Sequence, residues 1–211
     1  MRLTLLCIIL LFSSTIDAKS NWRLVKNQDD VRVYSQNVPN LGKALRGSMT
    51  INGTISSVLA VIEDINSYPK WMHNCYSAKE VRKIDSNQSI NYIAINMPWP
   101  VKDRDIVIQS VRTQNKQNKS VEVKFNATSG VLKKVKGKVR ITKMSGSWLL
   151  TPVKNGKVKI DYTVSINPGN KIPKWIVNAL AVDLPFNTLR NLRKVTKNQK
   201  YQVAKIYGIV N

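Results

Sequence analysis

The chain has 211 residues, and 34 Lys and Arg against 12 Asp and Glu give it a formal net charge of +22. A single histidine, His73, excludes a multi-histidine metal centre, and two cysteines, Cys7 and Cys75, leave little scope for a disulfide-stapled scaffold. The length suffices for a sizeable core in one domain.

The first eighteen residues, "MRLTLLCIILLFSSTIDA", place Arg2 before an apolar run from Leu3 to Phe12 and end on the small residue Ala18. This is the pattern of a secretory signal peptide cleaved between Ala18 and Lys19. The run is shorter than the ~20 residues a membrane-spanning helix needs. Residues 19–211 are therefore expected to form one exported domain, periplasmic or secreted, in which Cys75 is the only cysteine and is simply buried. Nucleic acid is the usual partner of so basic a chain. Export argues against it, and the lysines are spread over many segments ("VLKKVKGKVR", "NLRKVTKNQK"). A solvated surface accounts for most of the charge; an anionic membrane surface is the partner expected for the rest.

In chain order, "DDVRVYS" and "ALRGSMTI" read as short strands. "TISSVLAVIEDINSYPKWM" breaks the alternation: Thr54 suits an N-cap, Val58, Leu59, Ile62 and Ile65 recur at helical spacing, and Pro69 closes the segment. Strands then resume. "INYIAINM" puts Ile93, Ile95 and Met97 on one side, "RDIVIQSV" follows, and "SVEVKFNA" alternates Val121, Val123 and Phe125 with polar residues. "GSWLLTPV" and "KVKIDYTVSIN" flank an Asn-Gly turn at 155–156, and the second carries Val158, Ile160, Tyr162, Val164 and Ile166 on one face. From about Ile172 to Gln202 the period changes again, with Trp175, Ile176, Ala179, Leu180, Leu189 and Leu192 three or four apart. Pro173 fits the first turn of that helix, and Pro185 should kink or divide it. Strands in succession followed by a long helix read as α+β, an antiparallel sheet covered by helices.

Catalytic signatures are scarce. His73 and Cys75 have no oxyanion loop, glycine elbow or orienting acid beside them, and no phosphate-binding loop follows a strand. No catalytic residue, metal or cofactor is assigned. Large apolar side chains, by contrast, are plentiful: Trp71, Trp99, Trp148 and Trp175, with Met72, Met97 and Phe125. They either fill a packed core or line a cavity between sheet and helix.

Four blocks occur in a recognisable order: "VIEDINSYPKWMHNC", "MPWPVKDRD", "GSWLLTP" and "NPGNKIPKWIVNALAVDLPFNTLRNLRK". Together they resemble the START family of steroidogenic acute regulatory protein-related lipid transfer domains. The resemblance implies a helix-grip fold, a curved antiparallel sheet wrapped around a long C-terminal helix, with a tunnel for one lipid. It points to Trp71, Tyr92, Ile95, Met97, Phe125, Trp148 and Tyr162 as tunnel-lining residues, joined by Ile176 and Leu180 from the helix. Arg104 is the candidate for a charge facing the cavity, paired with an inner acid or a lipid head group, and Trp99 is expected to pack against the edge of the fold. The implied function is non-enzymatic binding and transfer of a lipid or other hydrophobic molecule by a monomer. An enzyme of the polyketide cyclase type is the alternative. It needs acid–base groups in the cavity, whereas the inward strand faces read as apolar apart from Tyr162. Arg190, Arg193, Lys194, Lys197 and Lys200, on the outer side of the last helix, are the residues expected to meet an anionic bilayer.

Overall fold

A computed structural model describes residues 22–38, 42–167 and 172–210. The predicted signal segment lies outside them. The described chain begins with β1 (Arg23–Gln28), β2 (Val31–Val38) and β3 (Gly42–Asn52), then α1 (Ile55–Glu63) and a 3-10 turn (Ile65–Lys70). There follow β4 (Cys75–Lys83), β5 (Gln88–Ile95), β6 (Arg104–Gln114), β7 (Val121–Ala127), β8 (Val139–Ile141), β9 (Met144–Val153) and β10 (Lys157–Ile166). Two helices end it, α2 (Lys174–Val195) and the short α3 (Gln199–Gln202). The sheet runs β1-β2-β3-β10-β9-β7-β6-β5-β4, each neighbouring pair antiparallel, with β8 alongside β6 in parallel. No described helix is long and apolar enough to cross a membrane.

Local chemistry places these elements where the sequence puts them. Thr54 Oγ1 accepts from the Ser57 amide at 3.1 Å while Ser57 Oγ accepts from the Thr54 amide at 3.0 Å, a reciprocal cap that starts α1. Asn155 and Gly156 take φ of +62° and +63°, which a tight hairpin between β9 and β10 requires. β7 and β10 bury an alternating set of apolar residues: Val121, Val123 and Phe125 on β7, and Val158, Ile160, Tyr162 and Val164 on β10.

Two proline readings need correction. Pro69 sits inside the 3-10 turn, and α1 has already ended at Glu63. Pro185 does not divide the long helix, which runs as one element of 22 residues and breaks only after Val195. Its ring is buried against the sheet, where Gly47 makes room. A Cβ on Gly47 would lie 2.6 Å from Leu189 Cδ1 and 3.1 Å from Pro185 Cβ. Gly47 pairs with Tyr162, so α2 crosses the inner face of β2 and β3 beside the aromatic residues of β10. Phe186, Leu189 and Leu192 bury that side of the helix.

β5 and β6 are buried on both faces. Their inner residues join the main core, while Ile90, Tyr92, Ala94 and Val107 form a second cluster on the outside, covered by Val131 and Leu132. The covering loop is held by Arg140, which pairs with Asp105 and donates to the Leu132 and Lys133 carbonyls.

Candidate functional site

Between the inner sheet face, α1 with its 3-10 turn, and α2 lies a cavity of about 160 Å³. Its walls are Ile93 and Ile95 of β5, Ile106 and Ile108 of β6, Phe125 of β7, Trp148 of β9 and Tyr162, Val164 and Ile166 of β10. Tyr68 of the 3-10 turn and Met72 just after it close one side, and Leu184 and Thr188 of α2 another. Trp148 and Tyr162 stack at 4.0 Å between ring centroids, and Phe125 stands 6.3 Å from Tyr162. Gly146, opposite Phe125, leaves space for that ring: a Cβ there would meet Phe125 Cζ at 2.5 Å.

Along β5 and β6 the inner face changes character. Cross-strand register pairs Ile93 with Ile106, then Asn91 with Ile108, then Ser89 with Ser110. The next inward position is Arg112, almost fully buried. Arg112 donates to both Glu63 carboxylate oxygens at 2.8 and 3.0 Å, to Asn87 Oδ1 at 2.7 Å, and to the Ser86 and Tyr207 carbonyls. The cavity is thus apolar over most of its wall and polar at one end. The expectation that Tyr162 would be the only polar inward residue is corrected here.

Of the sequence-derived candidates, Ile95, Phe125, Trp148 and Tyr162 line the cavity. Tyr92 does not. It lies on the outer face of β5, its hydroxyl 3.4 Å from Lys138 Nζ, because even-numbered residues of that strand point away from Ile93 and Ile95. Trp71 is buried behind the wall, edge-on to Tyr68 and Trp148, with its ring N–H on Ser67 Oγ. Met97 lies past the end of β5 and is half-buried outside the lining; its amide donates to Asp103. Ile176 is buried near the start of α2 without reaching the cavity, and the Leu180 side chain is outside the described residues.

Arg104 pairs across strands with Ile95 and so faces inward, but it lies beyond the lining. Among the described residues no inner acid pairs with it. Its guanidinium donates to the Lys102 carbonyl, its Nε has no partner among the described residues, and burial pulls its pKa down against the opposing charge of Asp103. Trp99 was expected to pack and instead is 90% exposed, on a turn closed by Val101 N to Pro98 O. Prolines on both sides leave its backbone no ladder to join.

Burial dominates the titratable groups in and near the cavity, and it raises the Glu63 carboxyl against the opposing charge of Arg112. Burial pushes the Cys75 thiol up to about 11, so it stays protonated, and Tyr68 and Tyr162 are raised by burial as well. Burial lowers His73, partly opposed by Asp183. Among the described residues no cluster of His, Cys, Asp or Glu could hold a metal.

A curved antiparallel sheet wrapped around a C-terminal helix, with a largely apolar cavity between them, defines the helix-grip class. The START domain profile matches residues 10–202, and the chain belongs to the START domain family. It is 34% identical over 180 residues to an uncharacterized protein of Pseudomonas aeruginosa, a match covering 85% of this chain and 88% of that one. The START domain-containing protein 10 of Homo sapiens is 21% identical, the match covering 87% of this chain and 64% of that protein. Among solved structures, a STAR-related lipid transfer protein fragment from Xanthomonas axonopodis superposes with a TM-score of 0.77 at 29% identity, over 84% of this chain and 99% of that one. The Zhui aromatase/cyclase of Streptomyces shares the fold at 10% identity and a TM-score of 0.52, over 79% and 98%.

Proposed function

We propose that this protein binds a lipid or similar hydrophobic molecule without covalent chemistry and carries it between membranes. The observation that carries the reading is the cavity wall of isoleucine, valine and aromatic side chains facing α2. Burial of an alkyl chain there is favourable by about 25 cal/mol per Å² of apolar surface removed from water. The relatives named for lipid transfer support the same reading. The space of about 160 Å³ is below the roughly 300–1,000 Å³ of typical small-molecule pockets, so loading a whole lipid requires α2 or the 3-10 turn to move outward. We further propose an exported monomer that docks on anionic bilayers. Export is supported by the N-terminal segment, and docking by the net charge and by exposed Trp99.

Native mass spectrometry of the purified protein, with solvent extraction, tests the binding claim. The expected result is a one-to-one complex that releases a lipid. Protein that is apo throughout, and stays so after incubation with vesicles, contradicts it.

A further inference from the structure

A second space lies on the outer surface, in the seam between the 3-10 turn, the last turn of α2, and α3. Its volume is about 480 Å³, against about 160 Å³ for the inner cavity, and falls within the roughly 300–1,000 Å³ of small-molecule sites. Three elements each bring a lysine to it: Lys70 from the turn, Lys194 from α2 and Lys200 from α3. Among the described residues of its lining the one carboxylate is Asp64. That carboxylate is already engaged, because Lys200 Nζ at 2.7 Å and the Tyr201 hydroxyl at 2.9 Å both donate to its Oδ2. Lys70 and Lys194 have no acid partner among the described residues. Asn66 and Asn198 add side-chain amides to the rim. Asn198 Oδ1 accepts from the Lys200 amide at 3.0 Å, which leaves its NH₂ as the donor for a ligand. The walls are fixed before any ligand arrives: Trp71 Nε1 donates to Ser67 Oγ at 3.2 Å, and Asn191 Nδ2 of α2 donates to the Trp71 carbonyl at 2.9 Å.

We propose that this cleft is a second binding site, taking a phosphate monoester between Lys70 and Lys194. Two unpaired ammonium groups match the two negative charges that a monoester approaches at neutral pH, and each offers several N–H donors to its oxygens. A carboxylate or a phosphodiester brings a single charge and leaves one lysine unmatched. Both lysines are exposed, so the bound group keeps part of its hydration and avoids the cost of burying a charge. The same chemistry is offered by a soluble phosphate ester and by a monoester head group on a bilayer. The site does not depend on what the inner cavity holds.

Calorimetric titration of the purified protein with inorganic phosphate, at ionic strength held constant with sodium chloride, tests the assignment. Saturable binding at one site is expected. Lys70→Gln and Lys194→Gln should each weaken it about threefold and the double variant about tenfold, as exposed ion pairs do, with Tm unchanged. Lys197→Gln, on the same surface but outside the lining, should bind as the native protein does. Sedimentation with phosphatidic acid vesicles and with phosphatidylglycerol vesicles matched in surface charge separates the two sources. Excess binding to phosphatidic acid that the double variant loses places the group on a bilayer. Equal binding to both vesicles, with inorganic phosphate still bound, makes it a soluble ester. Absence of saturable phosphate binding, equal affinity in the native protein and the double variant, or equal weakening by Lys197→Gln overturns the site.

Discussion

Asp105 and Arg140 form a two-point ion pair on the outer face of the sheet. Nε donates to Oδ1 at 3.0 Å and the outer guanidinium nitrogen to Oδ2 at 2.8 Å, with side chains only 1% and 8% exposed. Adjacent Arg104 points to the opposite face, so "RD" is divided between the core and its covering loop. Arg140→Leu should cost about 3–5 kcal/mol, because it leaves the Asp105 carboxylate buried and unpaired. Replacing both residues with leucine should recover most of that loss. Denaturant titration of the two variants and the native protein measures both effects.

Stability should fall in acid through two carboxylates. Burial would raise Asp161, but hydrogen bonds from Arg46, Lys159 and Ser48 outweigh it, and its pKa lies below the ordinary 3.8. Asp64 is likewise lowered: bonds from Lys200 and Tyr201 overcome its burial. Folded values below unfolded ones mean that these contributions are full above about pH 4 and are lost as pH falls through the folded values. Melting temperatures between pH 6 and pH 2 should show that decline, and Asp161→Asn should flatten part of it.

Docking on membranes should depend on Trp99 more than on the last helix. Of the five basic residues expected to face a bilayer, Arg190 pairs with Asp29, Arg193 donates to the Asp29 carbonyl and Lys200 pairs with Asp64. Lys194 and Lys197 remain exposed. The Trp99 turn instead adjoins the segment carrying Lys133, Lys134, Lys136 and Lys138, through the Val139 amide on the Asp103 carbonyl. An exposed indole beside lysines suits the interface of an anionic bilayer, where each nearby Lys contributes roughly 1 kcal/mol. Trp99→Ala should slow transfer to anionic vesicles severalfold and leave ligand affinity unchanged. Added salt should slow the native protein in the same way. Equal transfer rates for Trp99→Ala and native protein at low salt would remove Trp99 from docking.

Strand periodicity and the Thr54 cap made the architecture legible, because a one-sided strand and a reciprocal cap each leave a local trace in the residues. The wall of the cavity was less so. β5 is buried on both faces, so hydrophobicity alone could not distinguish Tyr92 outside from Ile93 inside; residue parity could, since Tyr92 and Ile95 cannot share a face. The same parity carried one step further, to Ser89 and Asn91, would have revealed the polar end. Trp99 and Trp71 were misplaced for a different reason. An aromatic side chain has the same composition whether it fills a core, backs a wall or meets a membrane, and only the surrounding chain decides which. Pro185 stays within one continuous α2 and lies close to Gly47, 138 positions away in sequence, a proximity that no local rule includes.

The claim that a lipid occupies the space between the sheet and α2 is tested most directly by photo-crosslinking. A fatty alcohol with a diazirine on its alkyl chain is loaded from vesicles and irradiated, and the labelled peptides are sequenced. Labels should fall on inward residues of β5, β6, β7 and β10, such as Ile95, Ile106, Phe125 and Val164, and should be displaced by unlabelled alcohol. Labelling confined to exposed side chains such as Trp99, Trp175 and Tyr207, with none on the inward residues, would contradict an internal binding site.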